Sequence, residues 1–243
     1  MAEYGAFSRE KLLHVLQARA RLEGDVVGKV DLGGATLRAL TITRCTLRNT
    51  NLASGGLGAS RWEEALLQGV NLRKAILTGA ALEGCHVSGS DLNEVDLTGA
   101  LIGMTRFDGC GLVNARLTGA ALTDVTFLAT DMYRADLRDA RLLHCRFRDP
   151  NLKSASLARV KLGGAVLIDC DLKEANLSEV DLAGAIFVSC DLRAANARQA
   201  VLSGATLVAC NVEAANLDEA HLQGLAHAES CFAQVTTRGA RWE

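Results

Sequence analysis

Every fifth residue from Leu32 to Leu222 is apolar, and the register never breaks. The run covers 39 positions, 28 of them Leu, and Ala197 is its one small member. A period of five matches neither the 3.6 of a helix nor the 2.0 of an ordinary strand. Self-similarity at a short fixed period is the mark of a repeat solenoid, in which each unit buries its apolar face against its neighbours.

Taking the apolar residue as the centre, i, the residue at i−2 is nearly always small. Ala35, Cys45, Gly55, Ser60, Ala65, Ala165, Cys170 and Ala175 are examples, and Leu40 is the one large exception. The residue at i−1 is often Asp or Asn, as at Asn71, Asp91, Asp96, Asp131, Asp136, Asp171, Asn176, Asp181 and Asp191. The two residues after the centre are mixed and polar, so the unit reads A-(D/N)-L-x-x.

Segments such as Ala175-Asn176-Leu177-Ser178-Glu179 and Ala135-Asp136-Leu137-Arg138-Asp139 resemble the pentapeptide repeat family residue for residue, over about four fifths of the chain. The resemblance implies an all-β fold, a right-handed quadrilateral parallel β-helix in which four units make one square coil. On that pattern i and i−2 point into the bore, while i−1, i+1 and i+2 face solvent. The motif residues build a rod, and function has to be argued from sites placed on it.

The aromatic residues support a four-sided coil independently. Phe107, Phe127, Phe147 and Phe187 all lie on one 20-residue grid, with Leu167 filling the gap. Residues 20 apart stack on one wall, so these rings are expected to pack on one another. The expected organisation is a leader and short capping helix over 1–24, a repeat domain of about ten coils over 25–224, and an irregular last coil or cap over 225–243. Ten coils at roughly 4.8 Å give a rod of about 50 Å. Gly79, Gly99, Gly119, Gly164 and Gly184 fall near corners, where positive φ is expected.

Seven of the eight cysteines (Cys45, Cys85, Cys110, Cys145, Cys170, Cys190, Cys210) occupy i−2, and Cys231 alone is off that register. They read as reduced thiols serving as small apolar residues, with Cys170, Cys190 and Cys210 forming a ladder on three successive coils. No C-x-x-C pair is present, and the five His lack ligand spacing. Neither a metal nor another cofactor is expected. The thiols fit a reducing compartment, and with no signal peptide and no apolar run of membrane length the expectation is a cytoplasmic protein. A net charge of −2 argues against direct nucleic-acid binding.

At the N-terminus, Ser8 to Arg19 reads as an amphipathic helix, with Ser8 as N-cap and Leu12, Leu13, Val15 and Leu16 on one side. It is placed to cover the open end of the solenoid. Leu22 and Val27 are already on the five-residue grid, which allows the first coil to start early. At the C-terminus the grid continues through Phe232 and Trp242, but His227 and Thr237 are poor core residues.

No phosphate loop, nucleophile elbow or paired-His motif is present, so no enzymatic role is expected. What remains are surfaces. Asp91, Asp131, Asp171 and Asp191 fall in one i−1 column that would imitate the charge of duplex DNA. Arg73, Lys74, Arg134, Lys153, Lys173 and Arg193 interleave with it and would cancel its field, which favours turn-capping for the Asp residues. A second candidate is the apolar set Val166, Ile168, Ile186, Val188 and Val208 flanking the Phe column, extended by Leu128 and accompanied by an exposed Trp242. These residues suit a homodimer or partner contact, and equally a plain β-sheet.

Two readings follow. The first is a non-enzymatic, bacterial interaction rod that docks on a partner protein. The leader Phe7-Ser8-Arg9-Glu10-Lys11-Leu12-Leu13 running into Val30-Asp31-Leu32-Gly33-Gly34-Ala35 is similar to pentapeptide-repeat proteins associated with type VI secretion, which implies a secretion component as partner. The alternative is a DNA mimic that protects or inhibits a type II topoisomerase (DNA gyrase or topoisomerase IV), as implied by resemblance to the quinolone-resistance and self-immunity members. The mild net charge and the lack of loops between coils depart from the quinolone-resistance pattern.

Overall fold

The computed structural model describes residues 9–242, so the expected N-cap Ser8 lies outside the described residues. Helix α1 (Arg9–Arg19) buries Leu12 and Leu16 against the first coil. The Arg9 guanidinium donates to the carbonyls of Asp31 at 3.1 Å and Gly33 at 2.8 Å, tying the helix to the rod. The large i−2 residue Leu40 lines the same recess as Leu16, where the helix gives it room. Coiling begins at Arg21, inside the stretch expected to be leader.

From there the chain winds as an all-parallel β-solenoid of four walls. Wall one is a seven-stranded sheet running from Arg21–Glu23 to Arg141–Leu143, and wall two an eleven-stranded sheet from Val26–Gly28 to Ala226–Ala228. Walls three and four, centred on Leu32 and Leu37 and their successors, are chains of single bridges such as Asp31↔Asn51 and Thr36↔Gly56. The pairing step is 20 residues, as in Phe107↔Phe127. Both i and i−2 are buried in coil after coil as far as Leu222. Phe107 and Phe127 stack at 5.2 Å and 8°, and Phe127 and Phe147 at 5.1 Å and 12°.

Asp or Asn at i−1 marks a unit as a turn. All fifteen Asp or Asn at i−1 accept a hydrogen bond from the backbone N–H two residues on, as in Asp31 to Gly33 at 2.8 Å and Asn51 to Ala53 at 3.0 Å. These units are turns, closed by a bond from the N–H of i+3 to the carbonyl of i, such as Ala35 to Leu32 at 3.0 Å. The side chain mimics a backbone turn and competes with extended structure. Strand units carry Arg, Thr, Val, Ile, Leu, His or Ala at i−1, and none carries Asp or Asn. Wall one changes from strand to turn at Lys161 and keeps the turn at Asp181, Val201 and His221.

Every residue at i+2 from Gly24 to Gly239 has positive φ: 14 glycines and 30 other residues, among them Lys29 (53°), Met104 (44°) and Ala129 (47°). The expected corner glycines are therefore part of a general rule. No Val, Ile, Thr, Pro, Phe, Tyr or Trp occupies this column: a branched Cβ clashes most in the left-handed region, and the proline ring fixes φ near −65°.

The seven i−2 cysteines all follow strand units and are buried free thiols, while Cys231 is exposed. Their Sγ atoms point to backbone carbonyls, as from Cys190 to Leu167 and to Val188, both at 3.4 Å. Burial pushes the Cys85 and Cys145 thiols up to about 11.

Ala197 leaves a cavity of about 30 Å³ between Phe187, Leu192, Leu202 and Leu217. Coils containing Phe107, Phe127 and Phe147 seat Leu117, Leu137 and Leu157 on the opposite wall, so their cross-section accepts Phe facing Leu. The last coil, 225–242, keeps the regular unit rather than an irregular one, but its centres His227 and Trp242 are exposed and Phe232 only partly buried.

Three outcomes follow. Ala197→Leu should raise the denaturation midpoint, worth about 1 kcal/mol from filled cavity and added burial. Ala129→Gly should leave stability level or raise it slightly, because relief of about 1 kcal/mol of left-handed strain roughly offsets the backbone entropy of Gly, whereas Ala129→Val should cost about 2 kcal/mol in the same measurement. The third concerns pH. The Asp136 carboxyl is held below the usual carboxylate range, first by the side-chain bonds from Arg138 at 2.8 and 2.7 Å. A depressed native pKa means the unfolded chain binds the proton more readily, so this contribution is present above the unfolded value of about 3.9 and is lost as pH falls through the native value. Asp136→Asn keeps the turn bond, as Asn51 does, and should flatten the loss of stability below about pH 4 in denaturant titrations across pH.

Candidate functional site

The outer surface of wall two carries the first candidate. Parallel pairing aligns Val166↔Ile186↔Thr206 in one column and Ile168↔Val188↔Val208 in the other. The strands Val166–Ile168, Ile186–Val188 and Thr206–Val208 thus bring five of the apolar candidates together as two adjacent ladders. Their neighbours above and below half-bury them, and Ile186 is the most open at 42% exposed. Trp242 is 55% exposed but belongs to wall one of the last coil, so it is not part of this surface.

Leu128 does not extend the patch. Its partner in the next coil is Arg148, and only the coil after that reaches Ile168. The strand Arg146–Arg148 puts two arginines across the sheet, between Thr126 and Leu128 on one side and Val166 and Ile168 on the other. Adding 20 to Leu128 finds this residue in the sequence, so the interruption was there to be read.

The sequence reading also missed a second apolar group on wall one. Leu101, Met104 and Leu143 are 60%, 64% and 52% exposed. Gly103 leaves a shallow groove beside Leu101 and Met104, lined also by Glu83, Thr123 and Asp124, with the Glu83 carboxylate folded over the glycine. Exposure of a centre-flanking residue depends on its neighbours 20 away, and a small one such as Gly103 or Ala121 lowers that cover.

The Asp column is one continuous feature of wall three, bridging Asp91↔Gly111↔Asp131↔Asn151↔Asp171↔Asp191. Each of its four aspartates is committed to a turn, accepting from the N–H of Asn93 (2.9 Å), Tyr133 (3.1 Å), Lys173 (3.1 Å) and Arg193 (3.2 Å). Asn151 donates to Asp131 at 2.9 Å. Lys173 sits between Asp171 at 3.2 Å and Asp191 at 3.3 Å, and Arg193 pairs with Asp191 at 2.7 Å. Partial burial works to raise the Asp191 pKa, but the bonds from Arg193 and Lys173 outweigh it and hold the carboxyl below its usual range. Arg73 and Lys74 instead meet Glu94, Lys153 meets Glu174 at 3.7 Å, and Arg134 lies over the Tyr133 ring, so these four are engaged elsewhere than on the column. This column is a set of turn caps, of which Asp171 and Asp191 are also paired with cations.

Among the described residues no group of three or more His, Cys, Asp or Glu is placed to hold a metal ion, and no helix is long and apolar enough to cross a membrane. His227 tilts against Phe232 at 4.8 Å and 55° in the last coil.

Comparison with known proteins agrees with the geometry. A family model described as pentapeptide repeats matches in eight copies, over residues 57–149 and 151–224. Among solved structures, HetL, a pentapeptide repeat protein involved in heterocyst differentiation regulation from the cyanobacterium Nostoc sp. strain PCC 7120, is 26% identical, with 95% of this chain and 94% of that chain covered and a TM-score of 0.33. Full-length QnrB1, a plasmid-mediated fluoroquinolone resistance protein, is 14% identical over 92% of this chain and 93% of that chain, with a TM-score of 0.36. Rfr23 from the cyanobacterium Cyanothece 51142 is 33% identical but covers 46% of this chain and 64% of its own, with a TM-score of 0.19. No curated protein matches the chain. With the repeat matched from Leu57 to Gly224 and the same unit winding every coil, the chain belongs to the pentapeptide repeat family.

Proposed function

We propose that this protein is a non-enzymatic interaction rod that docks a partner protein against wall two. The observation that carries the reading is the pair of apolar ladders Val166–Ile186 and Ile168–Val188–Val208, a flat outward surface on a rod whose core needs are already met inside the bore. Contiguous apolar surface of this kind on a well-packed protein marks an interaction site. A secretion component is the partner suggested by the leader, and a type II topoisomerase is the partner on the alternative reading. The turn bonds that occupy the Asp column, and the cations on Asp171 and Asp191, weaken the alternative, since a DNA mimic needs a carboxylate field that survives physiological salt.

Capture of partners on immobilised wild-type protein and on Ile186→Asp tests this reading. The variant places its carboxylate on an exposed position. Asp at i−1 also favours the turn form, so Val188→Asp, at the i+1 position that Asp108 holds within a strand, is the companion variant; both should keep the wild-type melting temperature while a specific partner is lost. Capture that is unchanged in both variants overturns docking on wall two. Supercoiling by DNA gyrase in the presence of a topoisomerase poison tests the alternative: no protection is expected, and protection at micromolar protein would transfer the function to the topoisomerase.

A further inference from the structure

The strand Arg146–Arg148 carries two unpaired guanidinium groups side by side. Most cations beside a carboxylate here are paired, as Arg106 is with Asp108, Arg138 with Asp136, Arg159 with Asp139 and Arg193 with Asp191. Arg146 and Arg148 lie on the same side of one strand, which sets them about 7 Å apart. Among the described residues neither guanidinium has an ion pair or a side-chain hydrogen bond, and Arg141 on the adjacent strand of the same coil has none either. Asp149 follows Arg148 at the corner but forms no ion pair with it. Three exposed like charges in one coil repel one another, a cost that an external anion would relieve.

Immediately beyond them begin the apolar ladders. Rungs 147, 167, 187 and 207 stand about 4.8 Å apart, so the cationic strand and the three apolar rungs span about 14 Å, the reach of about five extended residues. We infer that the partner segment seated on wall two is acidic at one end and apolar along the rest, its carboxylates meeting Arg146 and Arg148 and its apolar side chains covering Ile186, Val188 and their neighbours. This inference rests on the docking reading and names the chemistry of what docks. Paired guanidinium groups beside an apolar strip suit carboxylates on a peptide, whereas a single-stranded nucleic acid is held by aromatic stacking as well as by cations. From Thr126 to Ala228 the outward columns of this wall carry no aromatic residue.

The probe is a fluorescein-labelled synthetic peptide, Glu-Glu-Glu-Gly-Val-Ser-Val-Ser-Ile, titrated with the full chain and followed by anisotropy at about 0.1 M salt, where charges on the surface are screened beyond about 10 Å. The expected result is saturable binding that falls at least tenfold in Arg146→Glu/Arg148→Glu and in the peptide with Gln for Glu. The control Arg238→Glu/Arg241→Glu, which makes the same change in net charge at the far end of the rod, should bind as the wild type does. Absence of binding up to millimolar protein, or equal loss in both double variants, overturns the inference. So does tighter, Arg146-dependent binding of a labelled twelve-residue oligothymidylate, which would make the ligand a nucleic acid. Sedimentation of the wild type as a dimer that Ile186→Asp dissolves would show that a second copy covers the wall. If Ile186→Asp abolishes partner capture while the peptide shows no dependence on Arg146 and Arg148, docking on wall two stands and the acidic chemistry falls.

Discussion

The backbone hydrogen bond between residues one coil apart governs everything else in this rod. Leu32 donates to Asn51 at 2.7 Å, Asn51 donates to Val30 at 2.9 Å, and the pattern repeats to the last coil. Buried backbone groups must be paired, and here nearly all of them are paired to the coil above or below. That sets the coil length: one residue more or fewer puts the bonding groups and the bore-facing side chains out of phase together. The five-residue unit, its two buried positions and its left-handed corner are the terms on which a chain can satisfy this ladder four times per turn.

Much of this was legible in the residues. The register from Leu32 to Leu222 specifies the bore, and the 20-residue spacing of Phe107, Phe127 and Phe147 specifies the walls, because stacked positions share a cross-section. The left-handed column was only partly legible. Glycine announces positive φ, but Glu64, Lys74 and Met104 adopt it under the compulsion of the ladder, and their signature is an omission of branched residues that attention to glycine overlooks. The switch of wall one from strand to turn at Lys161 has no local signal comparable to Asp or Asn at i−1.

The surface was harder to read than the core for a physical reason. Inside, one residue type at one spacing is required. Outside, what matters is which side chains face each other across 20 residues of sequence. Leu128 resembles Ile168 in isolation, yet Arg148 lies between them. The Asp column resembles a charged stripe until each carboxylate is traced to the N–H it caps, and Asp171 and Asp191 to the cations that pair with them.

Core and surface therefore keep different time along the chain. The bore is indifferent to the loss or gain of a whole pentapeptide, because the buried positions return after five residues. The exterior returns only after 20. Removing one unit ahead of Cys145 would leave a sound bore, yet it would turn every later column by a quarter of a revolution and carry the arginine strand to another wall. Lineages of such rods are thus free to change length by whole coils while preserving what they present. Changes of one, two or three units reshuffle the exterior in a single step and keep the five-residue register of the bore, though they break the Phe107–Phe127–Phe147 stack where they fall within it.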